Sequence, residues 1–329
     1  MKPSQALVTG GAGFIGSQVV DALIERGWAV HVVDDLSTGN TRNINPKATF
    51  VRTDFAHPRV QRWIALHRPA AVFHFAAQIS VSRSVKDPVK DAETNIDATL
   101  KLLEAASRAK VKRFVFAGSG GALCSERMRL PANEMQTCEP ASPYAIAKRT
   151  IEYYGAFYRE HRKLPFVSLR FANVYGPRQS PHGEAGVIAI FTLHMLHNRK
   201  TRINGTGKQT RDYIYVDDVV RAVLLMLDHP DLAGPYNVGT GIETSVKQVH
   251  AMLAKIIGYK KMPGRGPADT AAPLRSALDA SRLTHDAHWH WDVGLREGLQ
   301  RTVNWFREHD HGKRNMLSRF RFNKGDRAA

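Results

Sequence analysis

From residue 5 onward the chain alternates between two textures. Unbroken apolar runs such as Gln5-Ala6-Leu7-Val8-Thr9 and Ala29-Val30-His31-Val32-Val33 lack the period-two pattern of a half-solvated strand, so they predict strands buried on both faces. Between them, apolar residues recur every three to four positions. Phe14, Ile15, Val19, Val20, Leu23 and Ile24 fall on one stripe and predict a helix over 14–26. The same reading places strands over 49–52, 71–75, 113–117 and 166–170, and helices over 59–67, 89–109 and 143–161. Strand and helix in alternation imply a parallel sheet covered by helices on both faces, an α/β doubly wound fold.

Beyond about residue 171 loops with interspersed helices take over. The expected division is a nucleotide-binding domain over 1–172, with later segments near 209–240 returning to it. A smaller C-terminal substrate-binding region covers most of 173–309, and 310–329 forms a basic, solvated tail.

The first strand runs directly into Gly10-Gly11-Ala12-Gly13-Phe14-Ile15-Gly16, where Gly11, Gly13 and Gly16 fit G-x-G-x-x-G. In that pattern one glycine permits a tight turn, one lets the backbone approach phosphate oxygens, and one lets helix and strand pack closely. A pyrophosphate sits at such a helix N-terminus because its free N–H groups and dipole favour anions. The second strand ends on Asp34, eighteen residues after Gly16, where a carboxylate can accept both hydroxyls of the adenosine ribose and would repel a 2′-phosphate. NAD is thus favoured over NADP, in a Rossmann domain. The competing reading is that Asp34 or Asp35 only caps the following turn.

Tyr144 and Lys148 lie four residues apart on the helix that Ser142-Pro143 opens, so both side chains leave one face about a turn apart. An ammonium beside a phenol, with a positive nicotinamide ring opposite, favours phenolate and draws its pKa from ~10 towards neutrality. That combination makes a general base.

Composition narrows the setting. The 329 residues, 43% hydrophobic and 23% charged, suit a folded protein with a full core, and no apolar run approaches the ~20 residues of a membrane helix. The N-terminus enters the first strand almost at once, which leaves no room for a signal peptide and predicts a cytoplasmic protein. Cys124 and Cys138 lack metal-ligand spacing and read as free thiols. The run holding His285, His288 and His290 has no companion ligand set, so no metal is expected.

A formal charge of +17, from 47 basic against 30 acidic residues, implies an anionic partner. Part of it lies in the tail, where Lys313, Arg314, Arg319, Arg321, Lys324 and Arg327 interleave with Phe320 and Phe322. That pattern allows weak contact with an anionic surface, without a specific nucleic-acid motif.

At this point the residues carry a resemblance. The chain resembles the NAD-dependent sugar-nucleotide epimerases of the extended short-chain dehydrogenase/reductase superfamily from residue 6 to about residue 306. The matching blocks include Thr9-Gly10-Gly11-Ala12-Gly13-Phe14-Ile15-Gly16, Asp34-Asp35-Leu36-Ser37-Thr38-Gly39, His74-Phe75-Ala76-Ala77-Gln78 and Ser142-Pro143-Tyr144 with Lys148. Arg170-Phe171-Ala172-Asn173-Val174-Tyr175-Gly176-Pro177-Arg178 and Gln209-Thr210-Arg211-Asp212-Tyr213-Ile214-Tyr215-Val216-Asp217-Asp218-Val219 complete the set.

The resemblance implies a cofactor site built from Gly10, Gly13, Phe14, Ile15, Gly16 and the 34–39 stretch. Asp54 and Phe55 would touch the adenine, Ala76, Ala77 and Gln78 would line the cofactor, and Asn95 would support its far side. Tyr144 and Lys148 would reach the nicotinamide end. On the substrate side it implies Asn173 and Arg211 at the sugar nucleotide, Val187 and Ile188 at the uridine, and Asn204 on the facing wall. The implied reaction is redox-neutral 4-epimerisation of a UDP-hexose, either glucose/galactose or the N-acetylated pair, through a transient 4-keto sugar. A two-fold helix-bundle homodimer is implied as well.

Two departures from the family pattern bear on that reading. The family hydroxyl after the fifth strand aligns with Gly120, leaving Ser119 one residue early; either Ser119 serves as the proton relay or Tyr144 reaches the sugar directly. Gly121 and Ala122, where related 4,6-dehydratases carry an acid/base pair, cannot transfer protons, so dehydration is not expected. Near the second diphosphate ligand the segment 265–276 is altered: Arg265 or Arg275 takes that role, and Ser276 falls at a gate where small residues admit N-acetylated sugars. A UDP-glucuronate epimerase or decarboxylase, or a non-catalytic NAD-binding module, are the competing readings.

Overall fold

A computed structural model describes residues 3–123, 128–136, 139–181, 186–267 and 273–309. Cys124, Cys138 and the basic tail 310–329 lie outside the described residues.

The chain opens with β1 (Gln5–Thr9), α1 (Phe14–Glu25), β2 (Ala29–Asp34), β3 (Thr49–Arg52), α2 (Pro58–His67) and β4 (Ala71–His74). The short helices α3 (Val81–Lys86) and α4 (Pro88–Ala92) follow, then a π-helical turn (Glu93–Asp97), α5 (Ala98–Arg108) and β5 (Arg113–Ser119). Next come α6 (Gly120–Leu123), α7 (Pro143–Arg162), β6 (Phe166–Phe171), β7 (Asn173–Tyr175), α8 (Val187–Leu196), β8 (Arg202–Asn204) and β9 (Thr210–Tyr215). The last elements are α9 (Val216–Asp228), β10 (Gly234–Val238), β11 (Glu243–Ser245), α10 (Val246–Ile257), β12 (Gly264–Gly266), α11 (Ser281–Ala287) and α12 (Leu295–His309).

Seven strands pair in parallel in the order β10-β6-β5-β4-β1-β2-β3. The order reverses between β1 and β4, and the crevice beyond their carboxyl ends is where such sheets seat ligands. Register brings Thr9 opposite both Val33 and His74, so the ends of β2, β1 and β4 align at that crevice.

Each face of the sheet is covered. Val19, Val20 and Leu23 of α1 join Val219 and Val223 of α9 and Leu283 of α11 on one side. Ile64 of α2, Leu102 and Leu103 of α5, and Ile151 and Tyr158 of α7 cover the other. Each large side chain so buried contributes ~1.5–3 kcal/mol by leaving water. A third core lies beyond the sheet, built from Phe191 and Met195 of α8, Tyr213 and Tyr215 of β9, Leu253 of α10 and Leu299 and Val303 of α12. Two small sheets, β11-β9-β7 and β12-β8, frame this second lobe.

The helix predicted over 89–109 is not continuous. It starts at Pro88, with Asp87 capping the Lys90 N–H, and is interrupted by the π-turn around Asn95. By contrast α7 runs unbroken for 20 residues, with the Ser142 side chain capping Ala145 and Lys163 closing it in the left-handed region. Among the described residues, no helix is long and apolar enough to cross a membrane.

Candidate active site

The glycine turn makes a floor of bare backbone. Gly10 takes a left-handed φ of +72° and donates its N–H to the Val33 carbonyl at 2.8 Å. A Cβ on it would lie 2.6 Å from the Ala76 nitrogen, and a Cβ on Gly16 would lie 2.2 Å from the Gly10 oxygen, so strand, turn and helix touch through main chain alone. Gly13 is the N-cap of α1 and offers no side-chain cap, which leaves the first-turn N–H groups of Phe14, Ile15 and Gly16 for an anion.

Asp34 stands at the end of β2. Its Oδ2 accepts the Ala12 N–H at 3.0 Å and its Oδ1 the Leu36 N–H at 2.9 Å, while burial pushes its carboxyl up. Each oxygen keeps a lone pair for a ribose hydroxyl. Asp35 is exposed and caps the turn, accepting from the Ser37 N–H and hydroxyl at 2.8 and 2.7 Å. Both acids therefore cap the turn, and Asp34 also ties β2 to the glycine floor. Gly39 packs against it, since a Cβ there would lie 2.6 Å from Asp34 Oδ1, while Thr38 is exposed.

Asp54 and Phe55, expected at the adenine, follow β3. Asp54 is exposed and accepts the Ala56 N–H, and the Phe55 ring turns inward onto His74, ring centres 4.8 Å apart, so only its main chain faces the crevice. Ala76, Ala77 and Gln78 follow β4, half-buried. Asn95 grips Gln78 from both sides, accepting its N–H at 3.0 Å and donating to its carbonyl at 2.9 Å. A backbone floor, an acid with spare lone pairs and a clipped far wall fit a dinucleotide.

The residues expected to handle protons gather at the carboxyl end of β5. Ser119 closes β5, its hydroxyl accepts the Ala122 N–H at 3.4 Å, and it acts on the Tyr144 phenol as a neighbour that lowers its pKa. Gly120 is excluded from that role by space as well as chemistry, because a Cβ on it would sit 2.2 Å from Leu278 Cδ1. Lys148 is buried; its Nζ donates to the Ala117 carbonyl at 2.9 Å and lies 5.8 Å from the centre of the Tyr144 ring.

Desolvation pushes the phenol up to about 12, with the Ser119 hydrogen bond opposing and the Asp91 charge adding to it. Desolvation brings the ammonium down to about 8, against the charges of Asp91 and Glu152. The chain's own groups thus do not bring Tyr144 towards neutrality by themselves; the expected shift belongs to the ammonium together with the nicotinamide charge. His74 is a satisfied core histidine: its ring nitrogens meet Thr9 and Thr99 hydroxyls at 2.6 and 3.0 Å, and burial lowers it to about 3.

The substrate-side residues divide into groups. The Asn173 Oδ1 is buried without a partner among the described residues, and a Cβ on Gly121 would come 3.5 Å from it, so this amide faces the turn that carries Ser119. Arg211 on β9 lies in register with Thr244 of β11 and donates to the Thr210 carbonyl at 2.7 Å. Arg275 comes to the same sheet through an ion pair with Glu243, while Ser276 is buried beside it in sequence. Arg265 is exposed on β12 in register with Ile203, next to Asn204, whose Oδ1 packs over Gly266; both belong to the β12-β8 sheet, and Gln209, just before β9, donates to the Asn204 carbonyl at 3.0 Å. Val187 and Ile188 open α8, but the Ile188 side chain is buried in the third core, so only its main chain is left for a uridine.

Sequence reasoning missed three buried polar residues around this site. Glu152, one turn beyond Lys148, holds Arg170 in a two-pronged pair at 2.8 and 2.7 Å. Asp91 lies under Gln78 and Asn95. The signal available was a polar residue four positions from a functional one on an otherwise buried stripe: Lys148 to Glu152, and Asp91 to Asn95.

With a dinucleotide seat at the switch point of a doubly wound sheet and a tyrosine–lysine helix beside it, the molecule falls in the class of NAD-binding short-chain dehydrogenase-like enzymes. The chain belongs to the NAD dependent epimerase/dehydratase family, whose model matches residues 6–239. It is 42% identical over 308 residues to a UDP-glucose 4-epimerase of Mycolicibacterium smegmatis, across 92% of this chain and 98% of that one. The UDP-glucose 4-epimerase of Thermotoga maritima, solved with UDP-glucose, superposes with a TM-score of 0.89 at 45% identity, covering 92% of this chain and 99% of that one. The UDP-glucose 4-epimerase of Thermus thermophilus, solved in complex with NAD, gives 0.86 at 41% identity, covering 93% and 99%. The cofactor of this enzyme is NAD.

Proposed function

We propose that this chain interconverts the two C4 epimers of a UDP-hexose through a transient 4-keto sugar. The observation that carries the reading is Tyr144 and buried Lys148 one turn apart on α7, with Lys148 tied through the Ala117 carbonyl to the end of β5 that also bears Ser119. Bound NAD supplies a hydride acceptor that becomes the donor on the return step, together with a positive charge near the phenol.

The residues of the chain do the rest. Ser119 receives the 4-hydroxyl proton and Tyr144 takes it onward as general base, returning it when the ketone is reduced. Lys148 holds positive charge against the phenol and, through Ala117, is fixed to the end of β5. Asn173 offers its unpartnered carbonyl oxygen to a sugar hydroxyl, and the fork of Arg211 suits the diphosphate. Gly121 and Ala122 bring no acid or base to the same turn, which favours epimerisation over dehydration.

The enzyme is assigned to the cytoplasm, where NAD and nucleotide-activated sugars are at hand, and to a homodimer. The dimer reading is supported by an apolar face on α7, with Ile146 48%, Tyr153 64%, Tyr154 41% and Phe157 47% exposed, continued by Val89 of α4 at 68%. The function is tested by incubating purified protein with UDP-galactose, UDP-GalNAc and UDP-glucuronate and separating the products. Conversion of a neutral UDP-hexose is expected. Tyr144→Phe is expected to keep NAD and lose turnover by ~10²-fold or more. Retention of NAD by the wild type with no substrate converted would leave only a binding module.

A further inference from the structure

Asp91 is a buried acid for which the reaction so far has no use. It lies on α4, 1% exposed, one helical turn before Asn95 in the π-turn, and α4 packs directly on the catalytic helix α7. Its Oδ1 accepts from the Gln78 Nε2 and the Asn95 Nδ2, both at 2.9 Å. Its Oδ2 is buried and meets no donor among the described residues. An orphaned buried acceptor costs about 1–3 kcal/mol, more when charged, and calls for an explanation. The clamp on Gln78 and Asn95 does not supply one, because the carbonyl of an asparagine would accept the same two amides. The negative charge is surplus to the local hydrogen bonding.

We propose that the Asp91 carboxylate is the counter-charge that sets the proton affinity of the Tyr144–Lys148 pair, a positioning residue for proton transfer that touches neither sugar nor cofactor. The assignment follows from counting what faces the Lys148 ammonium. From β5 it meets the neutral Ala117 carbonyl and the Phe116 ring, and the nearby His74 of β4 is kept uncharged by burial. One turn further along α7 lies Glu152, whose charge is already taken up by Arg170 and Arg149. Asp91 has no ion pair among the described residues, so it is the anion left over to act on the site.

The direction of its action is the same on both partners. Its charge raises Lys148, keeping the ammonium protonated against burial, and it raises Tyr144 by disfavouring phenolate. Burial pushes Asp91 itself up, and the two amides and Lys148 oppose that rise. The carboxylate thus keeps a buried lysine cationic without making the tyrosine so acidic that it can no longer return its proton.

The proposal rests on the epimerase reading for its catalytic meaning, and its test is kept independent of turnover. The Tyr144 phenolate is titrated spectrophotometrically in the NAD-bound protein, as the difference between each protein and its Tyr144→Phe counterpart. Asp91→Asn, which keeps the Oδ1 acceptor, is expected to lower the midpoint by about one pH unit, and to move the pH profile of turnover down with it. Asp91→Glu, which keeps the charge, is expected to hold the wild-type midpoint. A purely structural Asp91 would weaken NAD binding while the midpoint stays in place, and that result overturns the proposal. So does a Glu variant displaced as far as the Asn variant. Should Asp91→Asn fail to retain NAD, Asp91→Ser is titrated instead and read by the same criterion. If a shifted midpoint accompanies a protein that converts no sugar, the charge assignment stands and the epimerase reading falls.

Discussion

Gly120 has no room for a side chain: a methyl group there would enter the Leu278 side chain at 2.2 Å from Cδ1. On the proposed mechanism the hydroxyl that handles the sugar proton is that of Ser119, one residue earlier, rather than one at position 120. Gly120→Ser is expected to destabilise the fold by ~1–3 kcal/mol through overpacking, read from the urea midpoint, without improving turnover. Ser119→Ala should lower kcat by ~10²-fold while NAD binding holds, and an unchanged kcat would mean that the phenol meets the sugar without a relay. Similar reasoning explains why an alignment of residue types left the serine unresolved: the deciding contact comes from a segment more than 150 residues later in the chain.

Elements show where local pattern carries information and where it does not. Strands β1 and β2 and the start of α1 match their apolar signals because each must bury an apolar run or stripe, a demand visible within a few residues. The π-turn at Glu93–Asp97 leaves no such trace, since its purpose is to bring Asn95 to Gln78 across the chain. The three-residue strands β7, β8, β11 and β12 exist through pairing with distant partners, so the second lobe reads from sequence only as loops with helices.

The pair joining α7 to β6 was equally hidden, and it has a pH signature. Burial pushes Glu152 up, but the hydrogen bond and charge of Arg170, then Arg149, outweigh this and hold it below its ordinary value of 4.5. A depressed acid stabilises the fold above its unfolded pKa, and that contribution is lost as pH falls through the folded one. Glu152→Gln should cost ~3–5 kcal/mol at neutral pH by leaving Arg170 buried and unpaired. The gap in stability between wild type and variant should then narrow as the pH is taken below about 4.5, which urea titrations at several pH values would follow.

At the scale of the whole molecule the α7 face is the feature that solution behaviour should report. If two copies pair through Ile146, Tyr153 and Phe157, sedimentation of Phe157→Glu should show a monomer that keeps the fold, whereas a wild-type protein sedimenting as a monomer would remove the dimer.

The seventh strand has a different consequence. After leaving the sheet at Phe171 the chain builds much of the second lobe and only then lays β10 against β6, with Tyr236 opposite Leu169. A piece cut near residue 172 would keep the glycine turn, the acid and the tyrosine, yet present β6 as a raw border of unpaired amides, a template for sticking to other chains. The glycine-turn sheet and the second lobe are stitched by one thread that passes through both, so they are made and lost together.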